Sequence, residues 1–428
     1  MRVAHVLRRL SFDDWGGTEQ VVWNLARAQV RAGHEVRVFA TTALCPTPRE
    51  TREGLEILRF PPVYPWWPMT AATRARLDRK GGNPFVPGLA RALREWAPDV
   101  IHCHAMGRIA ELCIRVAEKT GARCAVSLHG GGANVPAAES ASLRAPTRRL
   151  LPWGKILDKA LRRTRRIPED AGGIVCVGED EADLWRARHP RVLFLPNGVD
   201  VALFEGSKVR RFEGSKVPVP AAGDEPSNGE RSEPFEPANL RTARGTRVLC
   251  VARIDRQKNQ MALVEALARD PRLAVRLVGP ATEPDYLEAL RARAAELGAA
   301  DRLSVAGALP PGSPELAAEY RAADVFALPS RHEPFGIVVL EAWAAGLPVV
   351  ASNVGGLGRL CAAHPGAALV FDPADPSALT AALSRVAADP ALAASLAAAG
   401  RAAARDYDWT ALAARLSDFY ATLPGRPA

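Results

Sequence analysis

Short apolar runs alternate along the chain with segments whose apolar positions fall three and four apart, and Gly, Pro, Asn and Asp punctuate the joins. Runs at 2–7, 36–40, 57–60, 99–102, 124–128, 174–177 and 192–195 read as buried strands, too short and too uniformly apolar for helices. Between them, 18–32, 85–96, 110–119 and 179–188 carry a helical period. The pattern restarts at 247, with strands at 247–251, 274–278, 303–306, 326–328, 349–351 and 368–371 and helices at 260–268, 285–297, 314–322 and 337–345. Such alternation predicts α/β architecture with parallel strands joined by crossover helices. Two full rounds predict two domains, which 428 residues suffice to fill. Two Ala-rich helical stretches then run to about 404, and 410–423 is amphipathic, with Leu412, Leu416, Phe419 and Tyr420 on its apolar stripe.

One unit of the pattern concentrates the chemistry. Residues 326–352, FALPSRHEPFGIVVLEAWAAGLPVVAS, read as strand, loop, helix, turn and strand. Pro329 and Pro334 keep the loop out of a helix, and Gly346 with Pro348 stops the helix that follows. Glu333 lies in the loop and Glu341 on the helix. Loops leaving the C-terminal ends of parallel strands form the ligand crevice. There the helix that begins near Phe335 would turn the backbone N–H groups of Gly336, Ile337 and Val338 towards an anion. The turn ARIDRQKN, at 252–259, sets Arg253 and Lys258 before another helix start, a combination suited to a diphosphate. Gly279 and Gly307 follow two further strands and allow close approach to the backbone.

In the first half, Gly16 and Gly17 stand where the first strand turns into the first helix. His129 closes a strand and precedes three glycines, which predicts a pocket wall with accessible N–H groups. His102 and His104 in DVIHCH share a face if the strand continues; they lack an obvious third metal ligand and are expected to line a cleft near the strand end.

EPFGIVVLE, the string PNGVD at 196–200 and the Arg253–Lys258 spacing together resemble the retaining GT-B glycosyltransferases of family 4, the large class that includes sucrose-synthase-like and glycogen-synthase-like enzymes. The resemblance covers nearly the whole chain. It implies two Rossmann-like domains with an interdomain cleft: an acceptor-binding domain over 1–195, a nucleotide-sugar-binding domain over 196–405, and a helix at 406–424 crossing back to the first. It implies a hexosyltransferase that moves sugar, with retention, from a nucleotide-diphosphate sugar to a glycan, lipid-linked or small-molecule acceptor. Glu341 would hold the ribose hydroxyls and Glu333 would sit by the transferred sugar. Arg253 and Lys258 would stabilise the leaving phosphate where its charge develops. His129 would approach the same sugar, Gly16–Gly17 with Glu19 would lie by acceptor or donor, and residues after the 303–306 strand would frame the base. No cofactor beyond the donor and no metal is implied, since the two cations supply the charge and no Asp-x-Asp cluster occupies a suitable loop. The chain departs from the pattern at Gly178, where serine is usual, and at Arg359, where a carboxylate is usual after Gly355–Gly356. An epimerase on the same fold would need further acid–base carboxylates, which the sequence does not supply. A non-catalytic carbohydrate-binding relative gains some support from Arg359, against the intact Arg253, Lys258, Glu333 and Glu341 set.

Net charge is +9, which favours an anionic partner. Residues 143–167 hold nine basic side chains and one acidic, Asp158, and 153–161 has a helical stripe of Trp153, Ile156, Leu157 and Leu161. Such a stretch fits an anionic membrane surface, a cleft wall that attracts phosphorylated substrates or a solvated face, and Trp66 and Trp67 among the prolines of PPVYPWWP fit sugar stacking, a membrane interface or a loop packed back onto the core. Nucleic acid is not expected, because no recognition motif accompanies the charge. Seven cysteines without a CxxC pair argue against a disulfide scaffold or structural zinc. MRVAHVL begins directly with a strand, and no run approaches the roughly 20 apolar residues of a membrane span; the expected location is the cytoplasm, peripheral to the inner face of the membrane. FEGSKV occurs at 204–209 and again at 212–217, opening a Pro-, Gly-, Ser- and Glu-rich tract, so 204–246 is expected to be a disordered insertion.

Overall fold

A computed structural model of the chain describes residues 1–12, 16–129, 151, 153–160, 166–205, 245–375 and 377–425. They form two compact units, Met1–Gly198 with Trp409–Ala428, and Val199–Asp408.

The first unit is built on one sheet. Its strands are β1 (Arg2–Arg9), β2 (Glu35–Thr41), β3 (Arg49–Arg52), β4 (Leu55–Phe60), β5 (Val100–Cys103), β6 (Arg123–Leu128), β7 (Gly173–Cys176) and β8 (Val192–Phe194). They lie in the order β3-β4-β2-β1-β5-β6-β7-β8, parallel except for β3. β1 and β5 pair in register, which sets His5 beside His102. The last helix, Trp409–Thr422, packs on the first, Gly17–Arg31, with Trp409, Leu412, Leu416 and Tyr420 in the core of this unit. Three details differ from the sequence expectation. Edge strand β3, RETR, has polar and largely exposed side chains, so no apolar run announces it. The Arg-rich helix Ala71–Lys80 buries Leu77 and little else of its surface. The helix expected from 85 begins at Leu89, after Gly88 at φ 86°, and leaves Phe85 to pair with Val63.

The second unit has six parallel strands, β9 (Thr246–Val251), β10 (Leu273–Val278), β11 (Leu303–Val305), β12 (Val325–Leu328), β13 (Val349–Ser352) and β14 (Leu369–Phe371), ordered β11-β10-β9-β12-β13-β14. Strand order reverses between neighbours β9 and β12, so the loops leaving them diverge above a crevice. The expectation of disorder from 204 fails at its start. Phe204 lies in the helix Val201–Glu205, is buried, and meets Tyr320 edge-on with ring centres 5.3 Å apart. The remainder of that tract up to 244 lies outside the described residues.

Candidate active site

In the second unit the β9 and β12 loops are tied together by backbone and side chain. The Arg331 N–H donates to the Gln257 carbonyl at 2.8 Å. Asn259, held at φ 56°, donates from Nδ2 to the Pro329 carbonyl at 3.2 Å. Across this junction Lys258 Nζ meets Glu333 Oε2 at 2.7 Å, with both side chains about one-eighth exposed (13% and 12%). Arg253 is far more open, 53% exposed, and reaches Asp255 and Gln257 at 3.3 Å. The loop ends at Gly336, whose φ of 93° disfavours any side chain, and the helix Ile337–Ala344 starts at once. Phe335, Ile337 and Val338 are partly buried around that helix start.

Gly355 and Gly356 open the next helix, Gly355–Ala363, against the same loop. The Gly356 N–H donates to the Glu333 carbonyl at 3.1 Å, and a Cβ on Gly356 would collide with the Pro334 carbonyl. The glycine pair is therefore a seat for Glu333. Arg359 projects as an exposed side chain from this helix. Gly279, at φ 146°, is a glycine for a packing reason, because a Cβ there would strike the Ala252 carbonyl. Its N–H reaches the Gly307 carbonyl at 2.6 Å, whereas Gly307 has open space around it.

Glu341 is buried and accepts a hydrogen bond from the Tyr320 hydroxyl at 2.6 Å. Burial pushes its carboxyl up to about 7, against the opposing pull of Tyr320. Nothing in the sequence singles out Tyr320: a buried tyrosine needs a hydroxyl partner, but no spacing points to Glu341.

The first unit holds its own cavity, of about 580 Å³, lined by Thr18, His104, Met106, His129, Trp185 and Arg188 among others. His129 Nε2 lies 3.2 Å from His104 Nδ1. Gly16 and Gly17 form the start of the helix beside Thr18. A Cβ on Gly16 would crowd the Glu19 carboxylate, which is buried and paired with Arg9 at 2.8 Å. The cleft-lining expectation for the DVIHCH histidines is corrected for one of them. His104 lines the cavity, while His102 is fully buried between the Tyr420 hydroxyl (2.6 Å) and the Ser127 hydroxyl (2.7 Å). The third histidine of the cluster is His5, from β1. Its place depends on β1 lying beside β5, a long-range pairing no local pattern reveals.

Comparison with known proteins decides the family. Residues 233–403 match the family described as "Glycosyl transferases group 1", and 15–203 match "Glycosyltransferase Family 4". A D-inositol 3-phosphate glycosyltransferase of Xylanimonas cellulosilytica is 31% identical over 95% of this chain and 92% of its own. One from Streptosporangium roseum is 30% identical over 95% and 88%. The chain is a family 4 glycosyltransferase. Its fold is GT-B, as in the crystal structure of Anabaena HepE with UDP and glucose (TM-score 0.61, 20% identity, 98% of this chain and 99% of that one). Sucrose-phosphate synthase from Thermosynechococcus elongatus gives the same TM-score, at 22% identity over 98% of each chain. In this glycosyltransferase the second unit joins Lys258 to Glu333, carries Arg253 in the same loop as Lys258, and follows Glu333 with Phe335, Gly336, Ile337, Val338 and, further along that helix, Glu341. His129, Gly16 and Gly17 belong to the first.

Proposed function

We propose that this glycosyltransferase moves a sugar from a nucleotide-diphosphate sugar to a small hydroxylated acceptor, with retention of anomeric configuration. The observation that carries the reading is the Lys258–Glu333 pair at the strand-order reversal, beside a glycine-started helix and the open Arg253. A departing diphosphate accumulates negative charge. Arg253 and Lys258 meet that charge, and the first-turn N–H groups of the Ile337–Ala344 helix add to it. As a phosphate oxygen draws on Lys258, the Glu333 carboxylate is freed to accept from sugar hydroxyls. Glu341, ionised, accepts from the ribose hydroxyls. The relatives' names support an anionic polyol as acceptor, and the UDP and glucose of the HepE structure support the donor class.

The test is turnover and binding across a panel of nucleotide sugars, in EDTA, for wild type, Lys258→Ala and Glu341→Ala. The expected result is one donor used in EDTA and lost in both variants, with an axial or equatorial product anomer matching the donor by NMR. Absence of any donor binding by folded wild-type protein would overturn the reading.

For the peripheral membrane contact, the supporting surface lies at one edge of the first unit. Trp67 and Leu151 bridge through paired backbone hydrogen bonds at 3.1 and 2.8 Å, and Gly154 donates to the Pro65 carbonyl at 3.3 Å. This gathers the exposed side chains of Trp67, Leu151 and, on the helix Trp153–Ala160, Ile156. Asp158, the one acid of the basic run, is engaged by Arg108, and Lys159 is exposed on the same helix. Among the described residues no helix is long and apolar enough to span a bilayer. Binding to anionic vesicles, weakened by Ile156→Glu and by salt, is the expected outcome; equal binding to neutral vesicles would remove the electrostatic part.

A further inference from the structure

Four histidines of the first unit pack ring against ring, and three of them form a hydrogen-bonded line that ends at the cavity wall. His5 Nε2 lies 2.7 Å from Gln29 Oε1, and His5 Nδ1 lies 2.9 Å from His104 Nε2. His104 Nδ1 in turn lies 3.2 Å from His129 Nε2. Gln29 and His5 are fully buried and His104 nearly so, while His129 faces the cavity. Ligand nitrogens of His5, His102 and His104 fall within 4.8 Å of one another, which raises the question of a metal. The hydrogen bonds answer it differently. All six ring nitrogens of these three residues are already engaged, those of His102 by Tyr420 and Ser127. The His102 and His104 rings lie with centres 4.0 Å apart, tilted by 39°.

We propose that Gln29, His5 and His104 form a positioning relay that fixes the tautomer of His129, so that His129 offers a bare Nδ1, a hydrogen-bond acceptor, to a hydroxyl of the sugar substrate in the cavity. A neutral imidazole has one N–H and one bare nitrogen. Burial pushes His5 and His129 down to about 4 and His104 well below its ordinary value, so all three stay neutral in ordinary buffers. An amide oxygen can only accept. With Gln29 Oε1 turned to His5, the hydrogen sits on His5 Nε2 and Nδ1 is bare. His104 must then donate from Nε2 and accept at Nδ1, and His129 must donate from Nε2. The direction set at Gln29 passes along the line and leaves one outcome at the cavity. Gln29, on the helix Gly17–Arg31, is a positioning residue, since it acts through two others.

The inference rests on the expectation that His129 approaches the transferred sugar, but its first test needs neither donor nor acceptor. Long-range 15N–1H NMR of the wild-type protein, with eight histidines to assign, reads each tautomer directly. His5, His104 and His129 are expected to be Nε2–H with bare Nδ1. Any Nδ1–H form, a charged ring or a fast-exchanging mixture among the three would overturn the relay, as would stoichiometric zinc uptake that moves the His5, His102 and His104 nitrogens. The second arm is Gln29→Met, which keeps volume and removes the acceptor. It should convert His129 to a tautomer mixture and raise KM for the sugar substrate about three- to tenfold, the loss of one ordinary hydrogen bond, with kcat less affected. A fixed His129 tautomer in this variant would overturn the proposal, and a tautomer shift without any change in KM would confine the failure to the role of His129 in transfer.

Discussion

The two units solve the same topological problem with opposite chemistry. Each gathers side chains at the C-terminal ends of parallel strands, next to a helix that opens on glycine. In the second unit the gathered groups are ions: Lys258 against Glu333, with Arg253 open to solvent. In the first they are neutral imidazoles, kept so by burial and joined ring to ring. Charged groups stabilise charge that develops during reaction, whereas neutral groups in fixed tautomers sort hydroxyls by donor and acceptor. Under the proposed function the difference is a division of labour between a diphosphate leaving group and a polyhydroxylated sugar.

The largest expected effect comes from breaking the ionic side. Lys258→Ala should lower kcat/KM about 10²- to 10³-fold, the range for removing one preorganised donor to a developing anion. It also leaves the nearly buried Glu333 carboxylate without its cation, for about 1–3 kcal/mol of stability. Adding Glu333→Gln to Lys258→Ala should restore most of the stability and none of the rate. Urea unfolding beside steady-state kinetics separates the two, and a double variant that regained turnover would show that Lys258 serves only Glu333.

Glu341 tests whether the second unit is ionic throughout. Its carboxyl sits at about 7 in the fold, above the ordinary value of 4.5, because it is buried. The folded state then holds more protons than the unfolded state between those values. Stability contributed by this group is full below about 4.5 and is lost as pH rises towards 7, by on the order of 3 kcal/mol. Glu341→Gln should flatten that fall, so the variant gains on wild type between pH 5 and 8 in paired urea titrations. Under the proposed reading the nucleotide is held by the ionised form, so its binding should strengthen over the same window in wild type. Parallel stability curves for the two proteins would return Glu341 to an ordinary exposed-like carboxylate and weaken the contrast.

Legibility in the sequence followed the range of the interactions. Strand–helix alternation is local, and it carried the two doubly wound units with most of their elements. Arg253, Lys258 and Glu333 are legible as residue types before helix starts, but the Lys258–Glu333 contact depends on β9 and β12 being neighbours. The same holds for His5, which reads as one residue of a plain first strand and becomes a relay member only beside β5. Edge strand β3 stayed hidden because it buries nothing that a hydrophobic pattern would show. Phe204 was lost inside a repeated, polar-looking hexapeptide, although a single phenylalanine there packs into the core against Tyr320.

The smallest effect separates the glycines of the two units by sign. Alanine for glycine inside a helix normally stabilises by up to about 1 kcal/mol. At Gly356 the added methyl meets the Pro334 carbonyl, so Gly356→Ala should instead destabilise by about 1–3 kcal/mol and shift the loop that carries Glu333. At Gly17 a Cβ meets nothing within 4 Å, so Gly17→Ala should leave stability level or raise it by a few tenths of a kcal/mol. If a ligand approaches the backbone at the start of that first helix, the same methyl stands in its way, and KM should rise in a protein no less stable than wild type. Thermal unfolding with kinetics on the pair distinguishes a glycine kept for the fold from one kept for a ligand. Equal stability loss at both positions would show that the first unit's glycine, too, is structural.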